Sequence, residues 1–257
     1  MCLVLVAVNS IPHYKLILVA NRDEFHNRHS APLTLWKDHT NIYAGRDLEG
    51  KGTWLGVSSE GRVATVTNVR RGNETNKNHR SRGLLVSDFL NSNISANSYI
   101  DELSDHSGGY SGFNIVAYDS SEMAWHNNQT KQSMKNLKGI FTLSNSELNT
   151  PWPKTEKLRK QFEKIMEREL LVPIESMFQI LKDQDKAADA DLPDTQIGYD
   201  LEKNLSSIFI RGETYGTRCS SIITIDDSKN VHFHERSYNP NALAIGHEHV
   251  SFKVNSL

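Results

Sequence analysis

Cysteine is scarce in this sequence, and long hydrophobic runs are missing from it. The 257 residues include two cysteines, Cys2 and Cys219, which are too few for a disulfide scaffold and lack the spacing of a zinc site. No apolar stretch reaches the ~18 residues that a membrane-spanning helix needs. The apolar run over 3–8 is too short for a signal peptide and has no positive charge before it. We therefore expect a soluble, cytoplasmic protein without a membrane span.

A strong excess of one sign of charge is also missing. Lys and Arg number 29 against 31 Asp and Glu, and the sequence pI is about 6.6. Nucleic-acid-binding domains normally carry a basic excess, so no nucleic-acid partner is expected. The length suits a single α/β domain, and no repeat, low-complexity tract or linker divides the chain. We expect one domain over residues 1–257.

Short apolar runs alternate along the chain with amphipathic segments. Two hairpins are predicted near the N terminus, from residues 2–8 with 15–21 and from the runs TWLGVS and RVATVTN. Helices are predicted over 83–90, 97–103, 152–170 and 174–181. The acidic stretch 182–200 is predicted to be an exposed loop, and SSIFI at 206–210 is predicted to be one of the closing strands. This order predicts an α+β fold with two β-layers and helices outside them.

The first candidate for chemistry is Cys2, directly behind the initiator methionine. Removal of Met1 would leave a thiol and a free α-amine on one residue at the start of a buried strand. An N-terminal amine has a pKa near ~7.7–8.0 and can take the thiol proton without a histidine. The alternative is that Cys2 is a small core side chain, as free cysteines often are.

The second candidate is NRDE at residues 21–24, which ends the second predicted strand. In a hairpin this end lies beside the start of the first strand, where Arg22 would lower the pKa of the Cys2 thiol. Asp23 would hydrogen-bond the Cys2 amine and orient it. The alternative is a surface turn in which Arg22 and Asp23 pair with each other, which contributes little.

Two further candidates lie downstream. Asn145 follows a strand in TLSNSELNTPWPK, and its amide could stabilise an oxyanion, an interaction worth ~3 kcal/mol in a transition state. Arg218 lies within a predicted strand in YGTRCSS, and alternation places Thr217 and Cys219 on the opposite face. A charge in a core strand is costly unless it is paired, so Arg218 is expected to meet a carboxylate or a bound anion.

The eleven histidines include two His-x-His pairs, His232 with His234 and His247 with His249. Each pair would bring two imidazoles to one side of a strand. Such pairs are more often solvated edge residues, and the sequence reveals no third ligand beside either of them. No metal site is predicted from them.

Taken together, CLVLVAV, NRDE, GTWLGVS, TNVR, TLSNSELNTPWPK and YGTRCSS resemble, in order and over nearly the whole chain, the NRDE family. This family is also called the transport and Golgi organisation 2 family. The resemblance implies a fold like that of N-terminal-nucleophile hydrolases, a four-layer αββα sandwich of two antiparallel sheets. Carried over by motif, its catalytic residues would be Cys2, Arg22, Asp23, Asn145 and Arg218.

The resemblance also implies a function other than hydrolysis, since similar proteins have been implicated in moving haem between intracellular sites. The first hypothesis is therefore a haem-binding carrier that delivers its cargo to an acceptor protein, and the second is an N-terminal-cysteine hydrolase of acyl amides or thioesters. No catalytic cofactor is expected. The candidate ligand-binding residues are Asn68, Arg70, Arg71 and Arg80, in and around a basic loop that could hold propionates. A solvated loop is the alternative, and the histidines stay open as axial haem ligands.

Overall fold

The computed structural model describes residues 2–70, 80–106 and 108–254. The strands in this part of the chain are β1 Cys2–Ile11, β2 Tyr14–Phe25, β3 Ser30–Leu35, β4 Ile42–Asp47, β5 Leu55–Ser58, β6 Val63–Asn68, β7 Phe113–Tyr118, β8 Met123–Asn127, β9 Gln132–Met134, β10 Gly139–Leu143, β11 Tyr215–Asp226, β12 Asn230–Tyr238 and β13 Ala244–Lys253. The α-helices in the same part are α1 Gly83–Leu90, α2 Ala96–His106, α3 Pro153–Met166, α4 Ile174–Leu181 and α5 Tyr199–Asn204.

The strands form two sheets in which the neighbouring strands are antiparallel. The first sheet has the order β10-β1-β2-β11-β12-β13, and the second runs from β3 to β9 in chain order. Both predicted hairpins are present, β1 with β2 and β5 with β6. The first sheet also joins the two ends of the described chain, because β11 pairs along the whole length of β2.

Strict alternation in β1 explains why the sheets form separate layers. Val4, Val6 and Val8 pack in the core between the two sheets, whereas Leu3 and Leu5 point outward to the side chains of α3 and α4. Alternate side chains of a strand lie on opposite faces, so an apolar residue at every position requires cover on both sides. On the second sheet α1 and α2 supply that cover. The predicted α+β sandwich of two antiparallel sheets between helical layers is confirmed.

Two local predictions are wrong. Residues 206–210 are buried but are not a strand, because their polar backbone groups bond to scattered partners. The Phe209 N–H donates to the Asp183 carbonyl oxygen, and the Ile208 carbonyl accepts from Asn21 Nδ2. The acidic stretch 182–200 is not loop throughout, since α5 begins at Tyr199. Along the described residues, none of the helices combines the length and the hydropathy required to span a bilayer.

Candidate functional site

A cleft of about 800 Å³ opens at the end of the first sheet where β1 begins and β2 ends. Cys2 lines this cleft, and it lies directly opposite Arg22 in the β1–β2 register. The hairpin therefore brings NRDE beside the first strand, as the sequence predicts. The other walls of the cleft are formed by the turn after β2, by β4 and by residues 80–83, which lead into α1.

The Cys2 thiol is buried, with 6% of the residue exposed. Burial raises its pKa to about 11, and the nearby positive charge of Arg22 opposes this rise without overcoming it. The Cys2 carbonyl oxygen accepts a hydrogen bond from Ser144 Oγ at 3.2 Å, which ties the start of β1 to the segment after β10. At neutral pH the thiol is therefore protonated.

Arg22 is buried, with 7% of the residue exposed. Its Nη2 lies 3.6 Å from Asp47 Oδ2 and 4.0 Å from Glu24 Oε2, so Arg22 pairs with these carboxylates and not with Asp23. Its Nη1 is buried without a hydrogen-bond partner among the described residues. A buried donor of this kind is costly unless something satisfies it. Arg22 thus offers a positive donor in the lining of the cleft, beside the thiol.

Asp23 is held by β11. Thr217 Oγ1 donates to Asp23 Oδ1 at 2.7 Å, and Tyr215 Oη donates to the Asp23 carbonyl oxygen at 3.0 Å. Burial raises the pKa of the Asp23 carboxyl, and the positive charge of Lys154 counteracts part of that effect. The buried Lys154 has its own pKa lowered to about 8 by burial, and its Nζ donates to the Leu205 carbonyl oxygen at 3.0 Å.

The sequence does not single out Lys154 or Thr217 as a site residue, although Lys154 lies in the motif TLSNSELNTPWPK and Thr217 in YGTRCSS. Lys154 is the second residue of α3 and 3% exposed. A lysine in the first turn of a helix is expected to stay in solvent, because its positive charge lies at the positive end of the helix dipole. Its burial beside Asp23 depends on how α3 packs on the first sheet.

Asn145 is buried close to the site and does not line the cleft itself. Its Nδ2 donates to the carbonyl oxygen of Asn68 at 2.9 Å, and its Oδ1 accepts from Ser144 Oγ at 3.2 Å. The amide therefore positions Asn68, which does line the cleft. One of its two N–H groups is already used, and its contribution as an oxyanion donor stays a prediction.

Arg218 departs from the sequence prediction in two respects, the face of β11 that its side chain shares with its neighbours and the groups that it contacts. A β-bulge interrupts the β11–β2 register, so that Thr217 pairs with Asp23, Cys219 pairs with Arg22, and Arg218 is the extra residue. Such a bulge breaks the alternation of side chains, and Arg218 and Cys219 both line the cleft. Arg218 meets no carboxylate among the described residues. Its Nη1 donates instead to the backbone carbonyls of Phe25, His26 and Arg28 at 2.9, 3.2 and 3.1 Å.

The predicted ligand-binding residues separate into three groups. Asn68 and Arg80 line the cleft. Arg70 does not, because its guanidinium bonds to Glu202 at 2.7 Å and lies over the Trp152 ring. Arg71 lies outside the described residues. Arg82, which also lines the cleft, donates from Nη1 to the Gly112 carbonyl oxygen at 3.0 Å.

Comparison with known proteins identifies the family. The model of the family described as "Transport and Golgi organisation 2" matches residues 1–240. This chain belongs to that family. It is 35% identical over 240 residues to the Transport and Golgi organization 2 homolog of Mus musculus, covering 87% of each chain. It is 25% identical over 262 residues to Transport and Golgi organization protein 2 of Drosophila melanogaster, covering 92% of each.

The fold is similar to that of a solved hydrolase. A crystal structure of a mutant conjugated bile acid hydrolase from Clostridium perfringens superposes with a TM-score of 0.53, covering 99% of this chain and 97% of the hydrolase. The identity is 9%, so the likeness concerns the fold alone. The resemblance to the NRDE family and its N-terminal-nucleophile hydrolase-like fold is confirmed.

Proposed function

We propose that this protein binds haem in the Cys2 cleft and carries it to an acceptor protein in the cytoplasm. The observation that carries the proposal is a cleft in which arginines without a carboxylate partner lie beside apolar side chains. Haem is a flat apolar macrocycle with two propionates, and it needs both kinds of surface. The family resemblance suggests which ligand of this chemistry to test.

Some of the arginines that line the cleft are paired with a carboxylate, and others are not. Arg28 pairs with Asp47 at 2.7 Å, whereas Arg80, Arg82 and Arg218 have no carboxylate within 4.0 Å among the described residues. These three arginines line the cleft and offer several donors to an anionic ligand. Guanidinium groups bind carboxylates in a bidentate manner, which suits propionates.

Apolar side chains also line the cleft. Trp54 and Tyr238 line the cleft, and Phe25 and Ile245 line it while being 55% and 66% exposed. Exposed apolar residues at a cleft are typical of ligand and partner sites. A carrier needs such an accessible rim, because its cargo has to leave as well as bind.

The iron ligand in this proposal is a thiol. Within the described residues the cleft is lined by Cys2 and Cys219 and by no histidine. A metal that coordinates a thiol displaces its proton, and the Cys2 proton is held tightly because burial raises its pKa to about 11. Haem affinity should therefore increase as the pH rises.

Titration with haemin, followed through the Soret band, tests the proposal. The wild-type chain should bind one haem with saturation at micromolar concentration and pass it to apomyoglobin. Arg82→Gln should weaken binding about tenfold, which corresponds to ~1.4 kcal/mol, and Cys2→Ala should shift the Soret maximum. Arg211→Gln, at an exposed arginine that does not line the cleft within the described residues, is the matched control. A titration without saturation would reject the proposal.

An N-terminal-cysteine hydrolase is the second candidate, favoured by the position of Cys2 in the cleft opposite Arg22. After removal of Met1, the Cys2 amine would take the thiol proton, and the thiolate would attack the acyl carbon. The C–N bond would break with the proton passing to the leaving amine, and water would then hydrolyse the thioester. Because the bile acid hydrolase shares this fold, N-acyl amides are the first substrates to try.

Intact mass and turnover test this candidate together. Protein purified from its own host should lack Met1 and should release amine from N-acyl amides, or thiol from thioesters. Cys2→Ala should abolish turnover while Cys219→Ala, at the neighbouring buried thiol, retains it. A chain that keeps Met1 cannot use the Cys2 amine as a base.

A further inference from the structure

The two His-x-His pairs are separate along the sequence, and in the structure they lie side by side on the neighbouring strands β12 and β13. In the β12–β13 register His234 lies directly opposite His249, and Arg236 lies opposite His247. Residues opposite each other in an antiparallel pair share one face, and so do residues two apart on a strand. All four imidazoles therefore lie on the same face of the first sheet, at its edge strand β13.

Three of these imidazoles are within coordinating distance of one another. The ligand nitrogens of His232, His234 and His249 all lie within 4.8 Å, and His232 Nδ1 is 3.3 Å from His249 Nε2. Two ligand nitrogens that are each bonded to one zinc ion at about 2.0–2.1 Å, with a tetrahedral angle between the bonds, lie ~3.3 Å from each other. The His234 and His249 rings are stacked with centroids 3.9 Å apart, so closing on one ion requires side-chain rotation.

An unsatisfied nitrogen lies inside this cluster. His234 Nδ1 is buried and has no hydrogen-bond partner among the described residues. Buried polar atoms are usually paired, and an exception calls for an explanation such as an unseen ion. A metal ion shared by the cluster would provide one.

We propose that His232, His234 and His249 bind one divalent transition-metal ion, with Zn²⁺, Ni²⁺ and Cu²⁺ as the suitable class. Imidazole nitrogen suits these ions, whereas Mg²⁺ and Ca²⁺ prefer oxygen ligands. His247, whose ring centroid is 5.7 Å from that of His234, is positioned to serve as a fourth ligand. Otherwise water completes the coordination.

The proposed site is separate from the Cys2 cleft. Glu235 and Glu248 line the cleft, while their sequence neighbours His234, His247 and His249 point to the other face of the same two strands. On that face His247 meets the edge of the Phe178 ring of α4. The neighbouring Arg236 is paired with Glu175 at 2.8 Å, so its charge next to the ion is compensated.

Calorimetric titration with Zn²⁺ alone, and separately with Ni²⁺ alone, tests the proposal. The full chain in a Cys2→Ser/Cys219→Ser background removes the thiols as competing ligands. We expect one ion per chain with micromolar or tighter affinity, weakened at least 100-fold in His232→Ala/His249→Ala. The control is His29→Ala/His106→Ala, which removes two exposed histidines and should leave the affinity unchanged.

A second readout holds even if the double variant folds poorly. Paramagnetic Ni²⁺ added to the same thiol-free chain should broaden the imidazole proton signals of His232, His234 and His249 before those of His29 and His106. Absence of saturable binding below 100 μM metal, or binding that the double variant leaves intact, would overturn the proposal.

Discussion

Cys2 and Cys219 flank Arg22 from opposite sides, since each is the cross-strand partner of Arg22 in the first sheet. Strands in a sheet are ~4.8 Å apart, so two spacings place the two Cα atoms ~10 Å from each other. A disulfide requires less than ~7 Å. Both cysteines are free, and the strand that carries Arg22 keeps them too far apart to form a disulfide with each other.

Slow alkylation is the first prediction. Burial raises the Cys2 pKa from 9.0 to about 11, so iodoacetamide at pH 8 should react ~100-fold more slowly than with an exposed thiol. The rate should increase about tenfold per pH unit up to pH 11. The pKa of the Cys2 thiol is higher in the folded state than in the unfolded state, so burial of the neutral thiol contributes to stability below pH 9.0. This contribution is lost as the pH rises towards 11.

Intact mass spectrometry over time measures this rate, with the urea-unfolded chain as the control. Equal rates in the folded and unfolded states would contradict the prediction. A fast native rate at Cys2 would also favour the hydrolase over the carrier, because it indicates an activated thiolate.

Thr217→Val should destabilise the fold through two hydrogen bonds of the Thr217 hydroxyl. The substitution removes the donor at 2.7 Å from Asp23 Oδ1 and the acceptor at 2.9 Å from the Ile210 N–H, both buried, and should lower the free energy of unfolding by ~1–3 kcal/mol. Urea unfolding measures the loss. Thr224→Val is the matched control on β11, since Thr224 is also buried there and lies opposite Ile17, away from Asp23. Equal losses in both variants would show that the Asp23 contact contributes nothing specific.

Arg218→Ala should loosen the turn after β2. One nitrogen of Arg218 binds the carbonyls of Phe25, His26 and Arg28, and its loss should lower the free energy of unfolding by ~1–2 kcal/mol. Amide exchange at residues 26–28 should become faster. Arg211→Ala, at an exposed position, should change neither quantity. Unaltered exchange in Arg218→Ala would mean that the turn is held by other contacts.

Gly52→Ala should disturb the wall of the cleft. A Cβ at this position would overlap the carbonyl group of Gly83, at the start of α1. Because the obstacle is backbone, overpacking should cost ~1–3 kcal/mol, measured as a lower midpoint of thermal unfolding. Gly108→Ala is the control, since a Cβ there meets nothing within 4 Å. A midpoint for Gly52→Ala that equals that of the control would refute the clash.

The hairpins and the two sheet layers can be predicted from the sequence, because both depend on residues that are close together along the chain. Continuous burial in β1 indicates a strand covered on both faces, and the NRDE run places Arg22 near Cys2 through one short turn. The bulge at Arg218 could not be predicted, since it comes from pairing with β2, far away in the sequence. The same is true of Lys154, whose burial depends on tertiary packing and not on its helix.

The histidine cluster illustrates the same limit. Each His-x-His pair is visible in the sequence, but their meeting depends on the register of β12 against β13, which a one-residue slip would abolish. Likewise, Arg70 belongs to the basic loop by sequence and is removed from the cleft by its bond to Glu202, a residue of α5, the helix that begins at the end of the stretch predicted to be a loop.

The pairing of β2 with β11 has a consequence for biosynthesis. Asp23 and Thr217 are 194 residues apart, and contacts of such separation form late, since loop closure must precede them. On the ribosome, β1 and β2 emerge long before their partner, with the cysteine and the NRDE charges lacking the strand that completes their surroundings. Until then the nascent chain carries an apolar sheet edge open to aggregation, and it would depend on chaperones to keep that edge from pairing with the wrong strand.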